Sequence, residues 1–264
     1  GKSIVIKNDS ITWIGDESAF EKEEKDEILD LEGKFVLPGL IDCHVHLDMR
    51  NTGVNPYQEI FTTSQYFACY KALKSAEDHI RSGFTTVRDC GSRDNWGQSI
   101  NRAFSSGLFR GPRVVAAQYP ISQIGSFKYD MPEDLTLALD WLEGQRVMGL
   151  AAPSGVDEMI RAVRERIQKG SNFIKVMNSG AVYGAQYGSV AENTFFREDE
   201  LAALVDEAHR NRIHVACHSH PDLGISEALD AGVDTIEHGS LISEETAKRM
   251  AKTNTYLVPT HYVD

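Results

Sequence analysis

At 264 residues, 41% hydrophobic and 25% charged, the chain is long enough to bury one large core and carry a small appendage. A formal net charge of −12 argues against nucleic acid or an anionic membrane surface as partner. No stretch approaches the roughly 20 apolar residues of a membrane span, and Cys43, Cys69, Cys90 and Cys217 are scattered without paired spacing, which suits reduced thiols in a cytosol. The first residue is a glycine rather than methionine, so a removed signal peptide stays compatible with the sequence.

In chain order, "KSIVIKNDSITWIG" gives two short alternating runs around an Asn-Asp-Ser turn, the signal of a hairpin over residues 3–15. A third run, "EILDLEG", predicts a strand over 27–32. Three short strands hardly make an independent core, so residues 1–34 read as part of a small β domain completed by other residues. From Phe35 a rhythm begins. The β-branched runs "VLPGLIDCHVH", "TTVRDC", "RVVAAQ", "FIKVMNSG", "HVACHSH", "DTIEHGS" and "TYLVPTH" recur, with amphipathic stretches between most of them. In "VDEMIRAVRERIQKG" the apolar Met159, Ile160, Val163 and Ile167 fall at helical spacing, as do Leu201, Leu204, Val205 and Ala208 in "REDELAALVDEAHRN". The connection 119–155 is long and irregular, the mark of a loop over a site.

Strands alternating with helices predict an α/β fold built on parallel strands. Polar residues end nearly every run: His44 and His46, Arg88 and Asp89, Lys175, His218 and His220, His238, His261. A doubly wound sheet concentrates function at one switch point, whereas function at many strand ends is what a (β/α)8 TIM barrel supplies. The barrel is therefore expected over residues 35–264 with seven strands present here.

The strand ends carry the chemistry. On a strand, residues two apart share a face, so His44 and His46 point together, as do His218 and His220. His238 joins them and is followed by a glycine that eases the turn. Either pair alone is compatible with hydrogen-bonded core histidines; five strand-end histidines at one barrel mouth point to a metal site. Lys175 lies between Ile174 and Val176 in a run that should be buried, where an ammonium is costly. An internal salt bridge to Glu237 or Asp89 would explain it. The alternative is functional: burial favours a neutral amine, and a neutral amine takes up carbon dioxide to give a carbamate able to bridge two cations.

Taken together and in this order, "LPGLIDCHVH", "TTVRD", "FIKVMNSG", "VACHSH", "GVDTIEHG" and "YLVPT" resemble the amidohydrolase superfamily. The nearest branch is the imidazolonepropionase-like group that includes binuclear zinc dipeptidases of the Xaa-Pro and Xaa-Arg type. The resemblance implies His44 and His46 on one zinc, carboxylated Lys175 bridging, and His218 and His238 on the other. It also implies two zinc or other divalent ions, carbon dioxide held as the lysine carbamate, and a small β-sandwich domain formed partly by residues 1–34. Imidazolonepropionases proper usually hold one metal without the lysine, so Lys175 favours the peptidase-like branch.

Two departures from the family pattern stand out. The aspartate that ends the eighth strand has no counterpart here, since Asp264 follows the seventh run too closely, and "ISQIGSFKYD" lacks the histidine of the loop after strand three. The implied reaction is hydrolysis of a C–N amide bond, in dipeptides or N-acyl amino acids, by a hydroxide bridging the two zinc ions, with His238 and Lys175 at the catalytic centre. His220, Tyr183 and Arg88 are the candidate substrate contacts, Arg88 for a carboxylate because its fork is bidentate. Cyclic amide, ester or phosphotriester hydrolysis, or an inactive metal-binding fragment, are the alternatives. The expected partner is a small molecule, without nucleic acid or membrane and with homo-oligomerisation compatible. The chain is expected to be part of a protein of roughly 400 residues.

Overall fold

The structure is a computed structural model that describes residues 1–49, 63–92, 96–123, 153–182 and 190–260. It divides into two units, Gly1–Pro38 and Gly39–Asp264.

In the first unit, β1 (Lys2–Lys7) pairs antiparallel with β2 (Ser10–Asp16). Lys7 faces Ser10, so the loop is Asn8–Asp9, and Asn8 takes the left-handed φ of 57° that such a tight turn demands. The strand expected over 27–32 is absent; this segment is extended and turn-like without a ladder. Ile28 and Leu29 stay exposed, as do Ile6, Ile11 and Ile14 on the hairpin. Apolar alternation marks a strand only where a partner strand pairs with it, and none does so here among the described residues.

In the second unit the strands are β3 (Leu40–Val45), β4 (Phe84–Asp89), β5 (Arg113–Ala116), β6 (Phe173–Met177), β7 (His214–Pro221), β8 (Thr235–Leu241) and β9 (Tyr256–Val258). All neighbours are parallel, in the orders β3-β4-β5 and β6-β7-β8-β9. The two sheets are stitched together just past β5. Lys175 O accepts from Ile121 N at 2.7 Å, Ile121 O accepts from Met177 N at 2.8 Å, and Asn172 N donates to Ala116 O at 2.9 Å. Seven parallel strands thus follow one another in sequence order, as the apolar runs predicted. The array curls, since His44 on β3 meets Glu237 on β8 at 2.6 Å. It is a partial barrel; β3 and β9 do not pair, so the barrel is not closed.

Helices α1 (Gln65–Arg81), α2 (Trp96–Ser105), α3 (Val156–Gln168), α4 (Glu198–Arg210), α5 (Asp222–Ala231) and α6 (Glu244–Met250) lie between the strands. Side chains facing them form the core. Met159, Val163, Leu201, Leu204 and Val205 pack against Ile174, Val176, Val215, Cys217 and Ile236; Ala72, Ala76 and Ile100 pack against Val87 and Val114. Lys175 and His218 alternate with these on the opposite face of β6 and β7, the inside of the curl. Most of the predicted loop 119–155 lies outside the described residues.

At the far end of β7 and β8, Asp234 accepts from His209 Nε2 and His214 Nδ1 at 2.8 Å each and from Val215 N at 2.7 Å. Burial pushes its carboxyl up, but these hydrogen bonds outweigh it and hold the group below its ordinary range. A depressed folded value means stability that is present above the unfolded carboxylate value of about 4 and is lost as pH falls through the folded one. Asp234→Asn should therefore destabilise by about 1–2 kcal/mol at pH 7. The gap from the parent should narrow below about pH 4. Urea midpoints of both proteins at neutral and acid pH check this; a gap that is constant with pH would contradict it.

Candidate metal centre

The strand ends bring five imidazoles into one cluster. Ring centroids are 5.3 Å apart for His44 and His46, 4.8 Å for His44 and His238, and 4.6 Å for His218 and His238. His220 stacks on His238 at 4.8 Å and 14° and meets His218 edge-on at 4.8 Å. The ligand atoms of His218, His220 and His238 all lie within 4.8 Å of one another, as do those of His44, Cys90 and Glu237.

Each of these rings is held by a hydrogen bond at a ring nitrogen, and His220 at both, its Nε2 accepting from Val182 N at 3.5 Å. His46 Nδ1 donates to Gly91 O at 2.8 Å and His218 Nε2 to Gly180 O at 3.0 Å. His44 Nδ1 is 2.6 Å from Glu237 Oε2, His220 Nδ1 is 2.9 Å from Ser240 Oγ, and His238 Nδ1 is 2.5 Å from Thr260 Oγ1. A ring nitrogen that donates to a carbonyl leaves the other as a lone pair, which is how proteins present imidazole to a metal. Burial, and then the charge of Lys175, pushes His44 down to about 3 and His46 to about 4. Burial drives His218 and His238 well below the ordinary histidine range as well. At neutral pH these four rings are uncharged, the form a metal requires.

Lys175 sits among them. Its side chain is 2% exposed and its Nζ has no hydrogen-bond partner among the described residues. The salt bridge to Glu237 or Asp89 weighed from the sequence is not formed. Glu237 is taken by His44 and Arg88 instead, and burial and the charge of Asp48 push the Asp89 carboxyl up to about 7. A buried polar atom without a partner beside four uncharged imidazoles fits a divalent-metal centre with an added anionic ligand on the amine. Cys90 suits it less: burial pushes its thiol up to about 12 and its Sγ lies 3.8 Å from Cys43 O.

The remaining candidates fall differently. His220 stands inside the cluster. Arg88 has three donors occupied, Nε by Cys43 O at 2.6 Å, Nη1 by Thr235 Oγ1 at 3.2 Å and Nη2 by Glu237 Oε1 at 2.6 Å, so a substrate carboxylate there would compete with Glu237. Tyr183 and His261 lie outside the described residues. Glu237 takes a part that sequence reasoning did not give it. Alternation along β8 would send Glu237 and His238 to opposite faces, but His238 adopts a left-handed φ of 72°, followed by Gly239 at 66°, and both side chains reach the centre.

Strand-end histidines thus cluster around a buried lysine on parallel β-strands, a donor set that could hold a metal ion. Residues 35–264 match the amidohydrolase family, and the chain belongs to that family. Ochratoxinase of Aspergillus niger is 28% identical over 272 residues, which cover 99% of this chain and 55% of that protein. Among solved structures, a prolidase complexed with N-methylphosphonate-L-proline superposes with a TM-score of 0.82 at 33% identity, covering 98% of this chain and 61% of the other. A Xaa-Pro dipeptidase with methionine bound in its active site gives 0.80 at 30% identity, covering 98% and 62%. The resemblance seen in the motifs holds at the level of superfamily and branch. The chain spans little more than half the length of these relatives.

Proposed function

We propose that this chain carries the metal centre of an amidohydrolase that cleaves the C–N amide bond of dipeptides or N-acyl amino acids. The observation that carries the reading is Lys175, a buried amine with no hydrogen-bond partner among the described residues, beside four uncharged imidazoles. His44 and His46 would hold one divalent ion, His218 and His238 a second, and Lys175 as its carbamate would bridge them. Such ions, zinc foremost, supply a hydroxide nucleophile at neutral pH and polarise the amide carbonyl.

The chain's own groups do the rest. Gly91 O and Gly180 O fix the rings of His46 and His218, so each presents one defined lone pair. The apolar shell of Val176, Val215 and Ile236 behind the strands keeps the centre rigid and excludes water from that side. His220, stacked on His238, would contact substrate beside the reacting carbonyl. The similarity to a prolidase and a Xaa-Pro dipeptidase supports substrates with an amide next to a free carboxylate.

The test is a substrate panel run on the full natural protein loaded with zinc: L-dipeptides including Xaa-Pro, N-acyl amino acids, lactams, aryl esters and phosphotriesters. The dipeptides or N-acyl amino acids should be the best substrates, and exhaustive chelation should stop their cleavage. Preference for lactams or esters would move the assignment to another hydrolase of the family. Activity that survives chelation would refute metal-assisted hydrolysis.

A further inference from the structure

Glu237 stands where two hydrogen-bond paths meet. Its Oε2 is 2.6 Å from His44 Nδ1; its Oε1 accepts from Arg88 Nη2 at 2.6 Å and from Thr235 Oγ1 at 2.5 Å. Arg88 then reaches back through Nε to Cys43 O at 2.6 Å, one residue from His44. β3, β4 and β8 are thereby tied together inside the curl by one carboxylate that is fully buried.

A buried ion pair is weak evidence for stability, because apolar side chains of the same volume often pack as well. The pair has a use only if its geometry has one. Here that geometry is the second carboxylate oxygen. An ionised carboxylate only accepts, so His44 must donate Nδ1–H to it, which fixes the tautomer and leaves Nε2 as the lone pair. His46 and His218 get the same service from backbone carbonyls, which no side-chain substitution removes. His44 gets it from a side chain on another strand.

We propose that Glu237 is a positioning residue that sets the tautomer and ring orientation of His44, and that Arg88 is the counter-ion holding Glu237 in place rather than a ligand for substrate. The inference rests on the reading of His44 as a metal ligand. Glutamine at 237 has one acceptor oxygen for two sets of donors, so either His44 or the Arg88–Thr235 side faces an amide N–H.

The experiment uses the full natural protein and two readouts independent of turnover: the zinc dissociation constant by chelator competition, and the His44 ring resonances of metal-free protein labelled with 15N-histidine. Glu237→Gln should weaken zinc binding about 10–100-fold. In the metal-free form the single Nδ1–H signal of His44 should shift or give way to mixed tautomers. The charge-balanced double variant Glu237→Gln/Arg88→Met should recover thermal stability relative to Glu237→Gln while zinc binding stays weak. Wild-type zinc affinity in Glu237→Gln or in the double variant, or an unmoved ring signal, would overturn the proposal. His44→Ala separates the two claims: if it leaves zinc binding untouched, the ligand assignment of His44 is what fails.

Discussion

Replacing Lys175 by methionine should abolish hydrolysis and, in the same protein, stabilise the metal-free fold. The side chain lies in β6 between Ile174 and Val176, and its Nζ has no hydrogen-bond partner among the described residues. A buried polar group left unpaired costs about 1–3 kcal/mol; methionine fills nearly the same volume without that cost. At about 2–4 °C per kcal/mol for a chain of this size, the metal-free variant should melt several degrees higher than the parent. Catalysis should move the other way. Without the amine the proposed shared anionic ligand cannot form, and kcat/KM should fall at least about 10³-fold, or about 4 kcal/mol of transition-state stabilisation. Scanning calorimetry of the metal-free forms and steady-state kinetics of the loaded ones read the two effects separately. A variant with full activity would remove the carbamate from the account, and one that melts lower would show that the amine is satisfied in the folded protein. The opposed signs are what distinguish a functional lysine from a structural one.

Removing the metal should cost more stability than a typical point substitution. The imidazoles at the centre are packed 4.6–5.3 Å apart, are held uncharged by burial, and surround a lysine rather than an apolar core. Ions that bind this arrangement only when it is folded stabilise it by mass action, about 4 kcal/mol for one site at a thousandfold excess over its dissociation constant. Dialysis against a chelator should therefore lower Tm by roughly 10 °C. Zinc should restore it, and bicarbonate should speed the restoration by supplying the carbamate. The stripped protein should stay folded, because His46 and His218 keep their backbone anchors without any ion. A Tm indifferent to chelation would mean that nothing is bound at the centre.

The sequence announced the framework more fully than the centre. Parallel strands covered on both faces read as continuous β-branched runs, so all seven runs from "VLPGLIDCHVH" to "TYLVPTH" became strands. The apolar spacing of "VDEMIRAVRERIQKG" became α3 with Met159 and Val163 buried. Strand ends shifted for local reasons: β3 starts only at Leu40, past Pro38, and β9 stops at Val258, before Pro259, because proline has no N–H for the ladder. Residues 27–32 failed as a strand because alternation alone supplies no pairing partner.

The histidine pairs were legible from period-two spacing, and Lys175 from its apolar neighbours. Their partners were not. Gly91 O, Gly180 O, Ser240 and Thr260 reach the rings from distant elements, and no local pattern marks a carbonyl as an acceptor. Glu237 was named from the sequence only as a partner for Lys175; its place beside His44 was hidden because strand periodicity sets it opposite His238, and the left-handed backbone at His238 brings both side chains inward. Arg88 was a candidate for a substrate carboxylate because its fork is bidentate, with pairing to an internal acid as the alternative; the structure sets that fork on Glu237.

The most direct measurement of the proposed two-ion centre is the zinc content of the intact natural protein beside its Lys175→Met variant, by elemental analysis against amino-acid quantitation. The account predicts a wild-type value approaching two ions per chain and a variant value of one or less. A wild type that holds at most one ion, or a variant that still holds two, would contradict it.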